Sequence, residues 1–163
     1  MSLVELPYGF PGHLFRSPMP FTVQDPQGTL FAQYQGQGID VVVLLVEDEQ
    51  CISKSGKNLR LFYQEQGLEV IHLPIPDLQV PSIPALESAI RSTIQRAQAG
   101  KNIVVHCYAG LGRTGMFLAC LARRVHGMTA DEAIRWVRSY LPAAIETSGQ
   151  VRVIQEFDKG KSS

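Results

Sequence analysis

Between Ile103 and Gly115 the chain reads Ile103-Val-Val-His106-Cys107-Tyr-Ala-Gly110-Leu-Gly112-Arg113-Thr114-Gly115. A β-branched apolar run stops at His106, a loop carrying two glycines follows, and an apolar helical segment begins near Thr114. β-branched residues suit a buried strand. A loop that leads from such a strand into a helix aims backbone N–H groups and the positive end of the helix dipole at an anion. The stretch therefore demands a sheet to hold its strand and a core to bury its helix.

A cysteine opens this loop and an arginine closes it. A thiol over a helix N-terminus and ringed by amides is favoured as the thiolate, which can attack phosphorus and form a covalent intermediate. Arg113 offers a planar fork that grips two phosphate oxygens at once. Gly110 and Gly112 let the loop curl with its N–H groups inward. The amides of Tyr108, Ala109, Gly110, Leu111, Gly112 and Arg113 are thus the candidate phosphate cradle. Thr114 can donate its hydroxyl to the Cys107 sulfur and ease its departure. His106 fits a role in fixing the loop backbone through ring hydrogen bonds, tuning the thiolate without touching substrate. A cysteine six residues before an arginine is weak by itself, and a buried structural cysteine is the bland alternative. The added His106, Gly110 and Thr114 make the pattern specific.

Around this centre the pattern is α/β. Residues 1–20 are rich in Pro and Gly and read as irregular, with a short strand near His13 to Arg16. Asp25-Pro26 reads as a helix start, with Leu30, Phe31 and Tyr34 on one face and Gly36 and Gly38 at its end. Ile39 to Val46 is a buried strand. Glu47-Asp48-Glu49 reads as a solvated loop, or places Glu47 at the edge of the site. Cys51, just beyond, is either an unremarkable small residue or a reversible disulfide partner of Cys107. Asn58 caps a short helix ending at Gly67, and Leu68 to Leu73 is the next strand. In the proline-stiffened loop that follows, Asp77 is the sole carboxylate between Glu69 and Glu87. It serves either as a general acid reaching over the phosphate or as a turn residue capping its own backbone.

Ser82 caps a helix to Ala99 with Ile83, Leu86, Ile90, Thr93, Ile94 and Ala97 along one stripe. Met116 to Val125 is apolar almost all round and hence buried, Cys120 included. Thr129-Ala-Asp-Glu132 is a capping box, opening a helix with Ala133, Ile134, Val137 and Leu141 inward. Trp136 and Tyr140 read as packing residues. A last amphipathic helix runs to Phe157, and 158–163 reads as a flexible tail. The expectation is one α/β domain over residues 1–163, with a central, mostly parallel twisted sheet flanked by helices on both faces. Its site lies at the C-terminal edge of the strands.

Composition narrows the function. Fifteen basic and fifteen acidic residues give zero net charge, which offers nothing to nucleic acid or an anionic membrane. The longest apolar run is too short to span a bilayer, and Met1 to Phe10 does not read as a signal peptide. Three distant cysteines give neither a disulfide framework nor a metal spacing, which suits a reducing cytoplasm. His13, His72, His106 and His126 lack ligand spacing, so no metal is expected.

The run His106-Cys107-x-x-Gly110-x-x-Arg113-Thr114 resembles the signature loop of the protein tyrosine and dual-specificity phosphatases. Gly115 to Phe157, and Pro11-Gly12-x-x-x-Arg16, are similar to the kinase-associated phosphatase family and to the atypical small dual-specificity phosphatases. The resemblance implies hydrolysis of phosphorylated proteins or peptides without a cofactor, with a kinase as a possible partner. It implies Cys107 as nucleophile, Arg113 as phosphate binder and Asp77, in Ile75-Pro76-Asp77, as general acid. Gln150, in Ile145-Glu146-Thr147-x-x-Gln150, would lie beside the loop and help place the hydrolytic water; from its own position it is a polar residue at a helix start. Lipid-directed relatives carry lysines in the loop, where this chain has Tyr108 and Leu111. A phosphoinositide phosphatase, a phospho-binding or kinase-binding module and a rhodanese-type sulfurtransferase remain the rivals.

Overall fold

The computed structural model describes residues 2–158; the tail from 159 onward, predicted to be flexible, lies outside the described residues. Five strands form one sheet: β1 (Val4–Glu5), β2 (Leu14–Ser17), β3 (Val41–Leu44), β4 (Glu69–His72) and β5 (Ile103–His106). The helices are α1 (Thr29–Gly36), α2 (Asp48–Ser55), α3 (Leu59–Glu65), α4 (Ile83–Gln98), α5 (Gly112–His126), α6 (Ala130–Tyr140) and α7 (Ser148–Glu156). The strand order is β1-β2-β5-β3-β4, parallel throughout except for β1.

β5 is central, and its register puts His106 opposite both Ser17 and Leu44. Three strands therefore end level, and their exits share one edge. Every residue of β2, β3 and β5 is buried. Side chains alternate between the two faces of a strand, so burial of all of them requires cover on both faces, as in an α/β layer fold.

The predicted elements hold with three corrections. The short strand expected near His13 to Arg16 is present as β2, and the first 20 residues hold a second strand that was not expected. β2 is a sheet strand, and β1 pairs with it antiparallel, Val4 opposite Arg16. Leu14-Phe15-Arg16-Ser17 of β2 is buried on both faces and so shows no alternation. The helix expected at Asp25-Pro26 begins later, at Thr29. The cap chemistry survives one turn upstream: the Asp25 carboxylate accepts from the N–H groups of Thr29 (2.8 Å) and Leu30 (3.2 Å). Gly28, left-handed at φ 71°, turns the chain in between. Finally, Glu47-Asp48-Glu49 is the start of α2, with Glu47 at the cap. Acidic residues suit that helix end, but Cys51 is its only buried residue, so no apolar stripe announced it.

Elsewhere the expected caps are present. Asn58 accepts from Leu61 N–H at 3.1 Å and Ser82 from Ala85 N–H at 3.3 Å. Thr129 and Glu132 form the full capping box. Leu86, Ile90, Thr93 and Ala97 of α4 are buried, whereas Ile83 and Ile94 are half-buried. α5 is buried from Gly112 to Arg123 and packs on α4, α6 and α7, so the helix behind the loop is clamped on several sides.

At the end of β5, His106 is fully buried between two partners: Tyr63 OH at 2.7 Å from Nε2 and the Cys107 carbonyl at 2.8 Å from Nδ1. The carbonyl can only accept, so Nδ1 carries the proton and Nε2 accepts from Tyr63. Burial, aided by the nearby Arg113 charge, lowers the His106 pKa to about 4. The folded protein thus resists a proton that the unfolded chain, titrating near 6.5, accepts. Stability is fully present above about pH 6.5 and falls as pH drops towards 4, by roughly 3 kcal/mol from this group. Urea unfolding across that window should show this loss, and His106→Asn should flatten the slope; an unchanged slope in the variant would overturn the assignment.

Candidate active site

The loop from Cys107 to Leu111 leaves β5 and feeds directly into α5. Its backbone carbonyls are all turned outward, each onto a donor. Cys107 O accepts from His106 Nδ1 at 2.8 Å, and Tyr108 O accepts from Met19 N–H at 2.8 Å. Ala109 O and Gly110 O accept from Arg16 Nη2 (3.3 Å) and Nε (3.0 Å). Leu111 O accepts from the N–H groups of Gly115 (2.9 Å) and Ile145 (3.1 Å). A peptide whose carbonyl points out points its N–H in, so the loop lines its concave side with donors. No side chain caps α5, which leaves the first amides of that helix available to an anion as well. The Gly110 N–H already donates to Cys107 Sγ at 3.3 Å.

Two glycines permit this curl. Gly110 has φ 78°, and a Cβ there would lie 2.5 Å from Ser17 O. A Cβ on Gly112 would lie 2.3 Å from Glu146 Oε1, so the helix start and that carboxylate are in close contact.

Arg113 is 2% exposed. Its Nη1 donates to Gln50 Oε1 and to Ile75 O, both at 2.8 Å. Anchoring Nη1 fixes the plane of the guanidinium and leaves the Nε–Nη2 edge, which among the described residues is engaged by the Asp77 carboxylate alone. That edge is the fork suited to two phosphate oxygens. Nη2 lies 3.1 Å from Asp77 Oδ1, and the Asp77 side chain is 55% exposed. Asp77 sits in a turn closed by Gln79 N–H to Pro76 O at 3.0 Å, followed by Leu78 at φ 63°. A left-handed non-glycine residue costs roughly 1–2 kcal/mol. The turn reading of Asp77 is thus right for its backbone, while its carboxylate faces the arginine.

Asp77, Leu78, Cys107, Tyr108, Ala109, Arg113 and Glu146 enclose a cavity of about 130 Å³. The chain brings Cys107, Arg113 and Asp77 together there from two loops. Thr114 is buried beside them, but its hydroxyl has no hydrogen-bond partner among the described residues, Cys107 Sγ included. Gln150 is buried and spends its Oε1 on the N–H groups of Glu146 (2.8 Å) and Thr147 (3.2 Å). With Thr147 it forms the capping box of α7, so it is a helix-start residue as its position suggested, but not a surface one. Its Nε2 faces Gly112, 3.1 Å from where a Cβ would stand. Cys51 is free and buried, and burial, reinforced by Asp48, pushes its thiol up to about 11, which disfavours the thiolate that exchange requires.

Three contributors escaped the sequence reading. Arg16 stood inside the quoted Pro-Gly-x-x-x-Arg run, but nothing local tied it to a loop 94 residues away. Gln50 reaches Arg113 across 63 residues from a helix that was not expected. Glu146 was in the run ending at Gln150, and its role as a cavity wall follows only from the fold.

A family model described as "Polymorphic toxin system, DSP-PTPase phosphatase" matches residues 21–126. Protein tyrosine phosphatase domain-containing protein 1 of Mus musculus is 34% identical over 136 residues, which are 78% of this chain and 18% of that protein. The phosphatidylglycerophosphate phosphatase PTPMT2 of Arabidopsis thaliana is 34% identical over 126 residues, 77% of this chain and 53% of that one. The chain spans only 18% and 21% of the length of the mouse and Danio rerio domain-containing proteins. The structure of Tk-PTP in its active form superimposes with a TM-score of 0.74 at 31% identity, covering 91% of this chain and 92% of that one. Kinase associated phosphatase, with its catalytic site cysteine substituted by serine, gives 0.85 at 21% identity over 95% and 92% of the two chains, a likeness of fold. With more than half its length matched by the family model, the strand, loop and helix of the site included, the chain belongs to the dual-specificity and protein tyrosine phosphatase family.

Proposed function

We propose that this protein hydrolyses phosphomonoesters on proteins, phosphotyrosine and also phosphoserine and phosphothreonine, through a cysteinyl-phosphate intermediate. The observation that carries this reading is the convergence of Cys107, an anchored Arg113 and Asp77 on one small cavity floored by inward amides. In the first step the Cys107 thiolate attacks phosphorus in line. The amides from Tyr108 to Arg113 and the Nε–Nη2 edge of Arg113, released by Asp77, bind the equatorial oxygens and stabilise their transition-state charge. Asp77 passes its proton to the leaving oxygen. In the second step water attacks the cysteinyl phosphate, Asp77 takes a proton from that water, and the unpartnered Thr114 hydroxyl donates to the departing sulfur. Gln150 supports the helix start at Gly112, and His106 holds the Cys107 carbonyl away from the phosphate.

A phosphorylated lipid headgroup is the second enzymatic reading, since PTPMT2 is named for such a substrate. Two features favour the protein substrate. The loop holds no lysine, and Glu146 and Asp77 both wall the cavity, so additional phosphates would meet two carboxylates at close range. A phospho-binding module without turnover has no need for an acid poised beside the arginine. Sulfur transfer likewise leaves Asp77 without a task. A kinase is among the phosphorylated proteins to be tested as partner and substrate.

Phosphate release from matched phosphotyrosine and phosphothreonine peptides, in chelator, is the direct test, with a phosphoinositide as the competing substrate. Activity on both peptides, lost in Cys107→Ser, is expected; release from the lipid alone would replace this reading with the lipid one. Ionised Cys107 and protonated Asp77 together require a bell-shaped kcat/KM profile. Asp77→Asn should lower kcat by about a hundredfold or more and abolish the basic limb. A wild-type rate still climbing above roughly pH 8 would contradict these roles.

The contact between Gly112 and Glu146 gives an independent check on the cradle. Gly112→Ala forces a Cβ against Glu146 Oε1 and displaces the amides of the helix start. A loss of about a hundredfold in kcat/KM is expected from such a shift, with partial recovery in the Gly112→Ala, Glu146→Ala double variant. Unchanged activity in the single variant would show that this stretch does not bind the phosphate.

A further inference from the structure

Beside the catalytic cavity lies a larger one, of about 330 Å³, and the two share the Tyr108–Ala109 wall. Its remaining walls include Arg16, Met19, Thr22 and Gln24. Arg16 is 9% exposed, and a buried charge is normally paired with an opposite one. Here its guanidinium donates to the Gly110 and Ala109 carbonyls, through Nε and Nη2, and the acidic groups that act on it are Cys107 and Tyr34 rather than a carboxylate. Nη1 makes no hydrogen bond, and no carboxylate pairs with Arg16 among the described residues. The acid nearest in the chain, Asp25, is committed to the N–H groups of Phe21, Thr29 and Leu30.

The rest of the cavity is equally rich in donors. The Thr22 hydroxyl accepts from Gln24 N–H at 3.3 Å, which leaves its proton to give. The Gln24 side chain is exposed and supplies an amide. No acidic residue lines this cavity, whereas its neighbour carries two. A peptide whose phosphorylated side chain enters over Cys107 crosses the Tyr108–Ala109 rim, and its adjoining residues then reach the second cavity.

We propose that this cavity is an anion subsite, which takes the oxyanion of a substrate residue flanking the phosphorylated one. The inference rests on the phosphoprotein reading above. A carboxylate and a second phosphate share the needed chemistry, since either presents paired oxygens to a guanidinium edge.

Equilibrium binding to the Cys107→Ser protein separates recognition from turnover. The probes are phosphotyrosine peptides carrying alanine, aspartate or phosphoserine in turn at each position next to the phosphotyrosine. Aspartate, phosphoserine or both should tighten binding about tenfold at one of these positions, as a charge-assisted hydrogen bond would. Tightening by aspartate identifies a carboxylate ligand, and tightening by phosphoserine alone identifies a second phosphate. Adding Gln24→Glu, an exposed isosteric change, places a competing carboxylate there. It should abolish the preference, the ratio of affinities for the charged and the alanine peptides. Equal affinity for all peptides, a preference that survives Gln24→Glu, or no binding by any peptide would overturn the subsite. Phosphate release by the unsubstituted enzyme from the alanine peptide is followed in parallel, so that failure of the phosphatase reading is seen separately.

Discussion

The outward hydrogen bonds of the loop carbonyls are the interaction on which the rest of the structure depends. Five successive carbonyls, Cys107 to Leu111, are held by donors from β2, the segment after it, His106, α5 itself and the segment before α7. Each such bond contributes about 1 kcal/mol net. Together they amount to several kcal/mol, a sizeable fraction of the roughly 5–15 kcal/mol that stabilises a domain. The loop is thereby fixed before any anion arrives, and fixed donors need no reorganisation during the reaction. This explains why the site draws on elements so far apart in the chain: no local segment could supply those donors.

The electrostatics follow from how the cations are anchored. Arg113 is held by an amide and a carbonyl, Gln50 and Ile75, and Arg16 by two carbonyls. Neutral acceptors fix the orientation of a guanidinium without cancelling its charge, and among the described residues the single carboxylate paired with either arginine is Asp77, on Arg113. The carboxylate that does approach, Asp77, is more than half exposed and sits on a turn strained at Leu78. An exposed acid on a strained turn exchanges partners at low cost, which suits the role proposed for Asp77, alternating between arginine, leaving oxygen and water.

Legibility in the sequence followed the range of the interaction. The strand, loop and helix of the centre, the capping boxes at Thr129 and the cap at Asn58 are written in consecutive residues, and each is present as read. Asp77 was legible because it stands alone among prolines. Arg16, Gln50 and Glu146 were not, because their meaning lies in contacts across the sheet order β2-β5-β3, which no local spacing encodes. β2 was legible only as a short strand near His13 to Arg16, not as a partner of β5, because a strand buried on both faces and carrying an arginine and a serine has neither alternation nor an apolar run. α2 hid because a helix with one buried residue has no stripe.

Zero net charge and a cationic site are compatible, and their combination constrains how substrate is found. At physiological salt a charge is screened within about 8 Å, so a chain with fifteen residues of each sign exerts little attraction at a distance. The field of Arg16 and Arg113 is felt only once a phosphate has entered the mouth of the cavity. Long-range steering, which raises the on-rate for any anion alike, therefore contributes little. Discrimination falls instead to contacts at the rim, where Tyr108 and Ala109 divide a cavity walled by two carboxylates from one with none. The sign of the residue beside the phosphate is then read at short range, by side chains that the fold, and not the overall charge of the chain, brings to that edge.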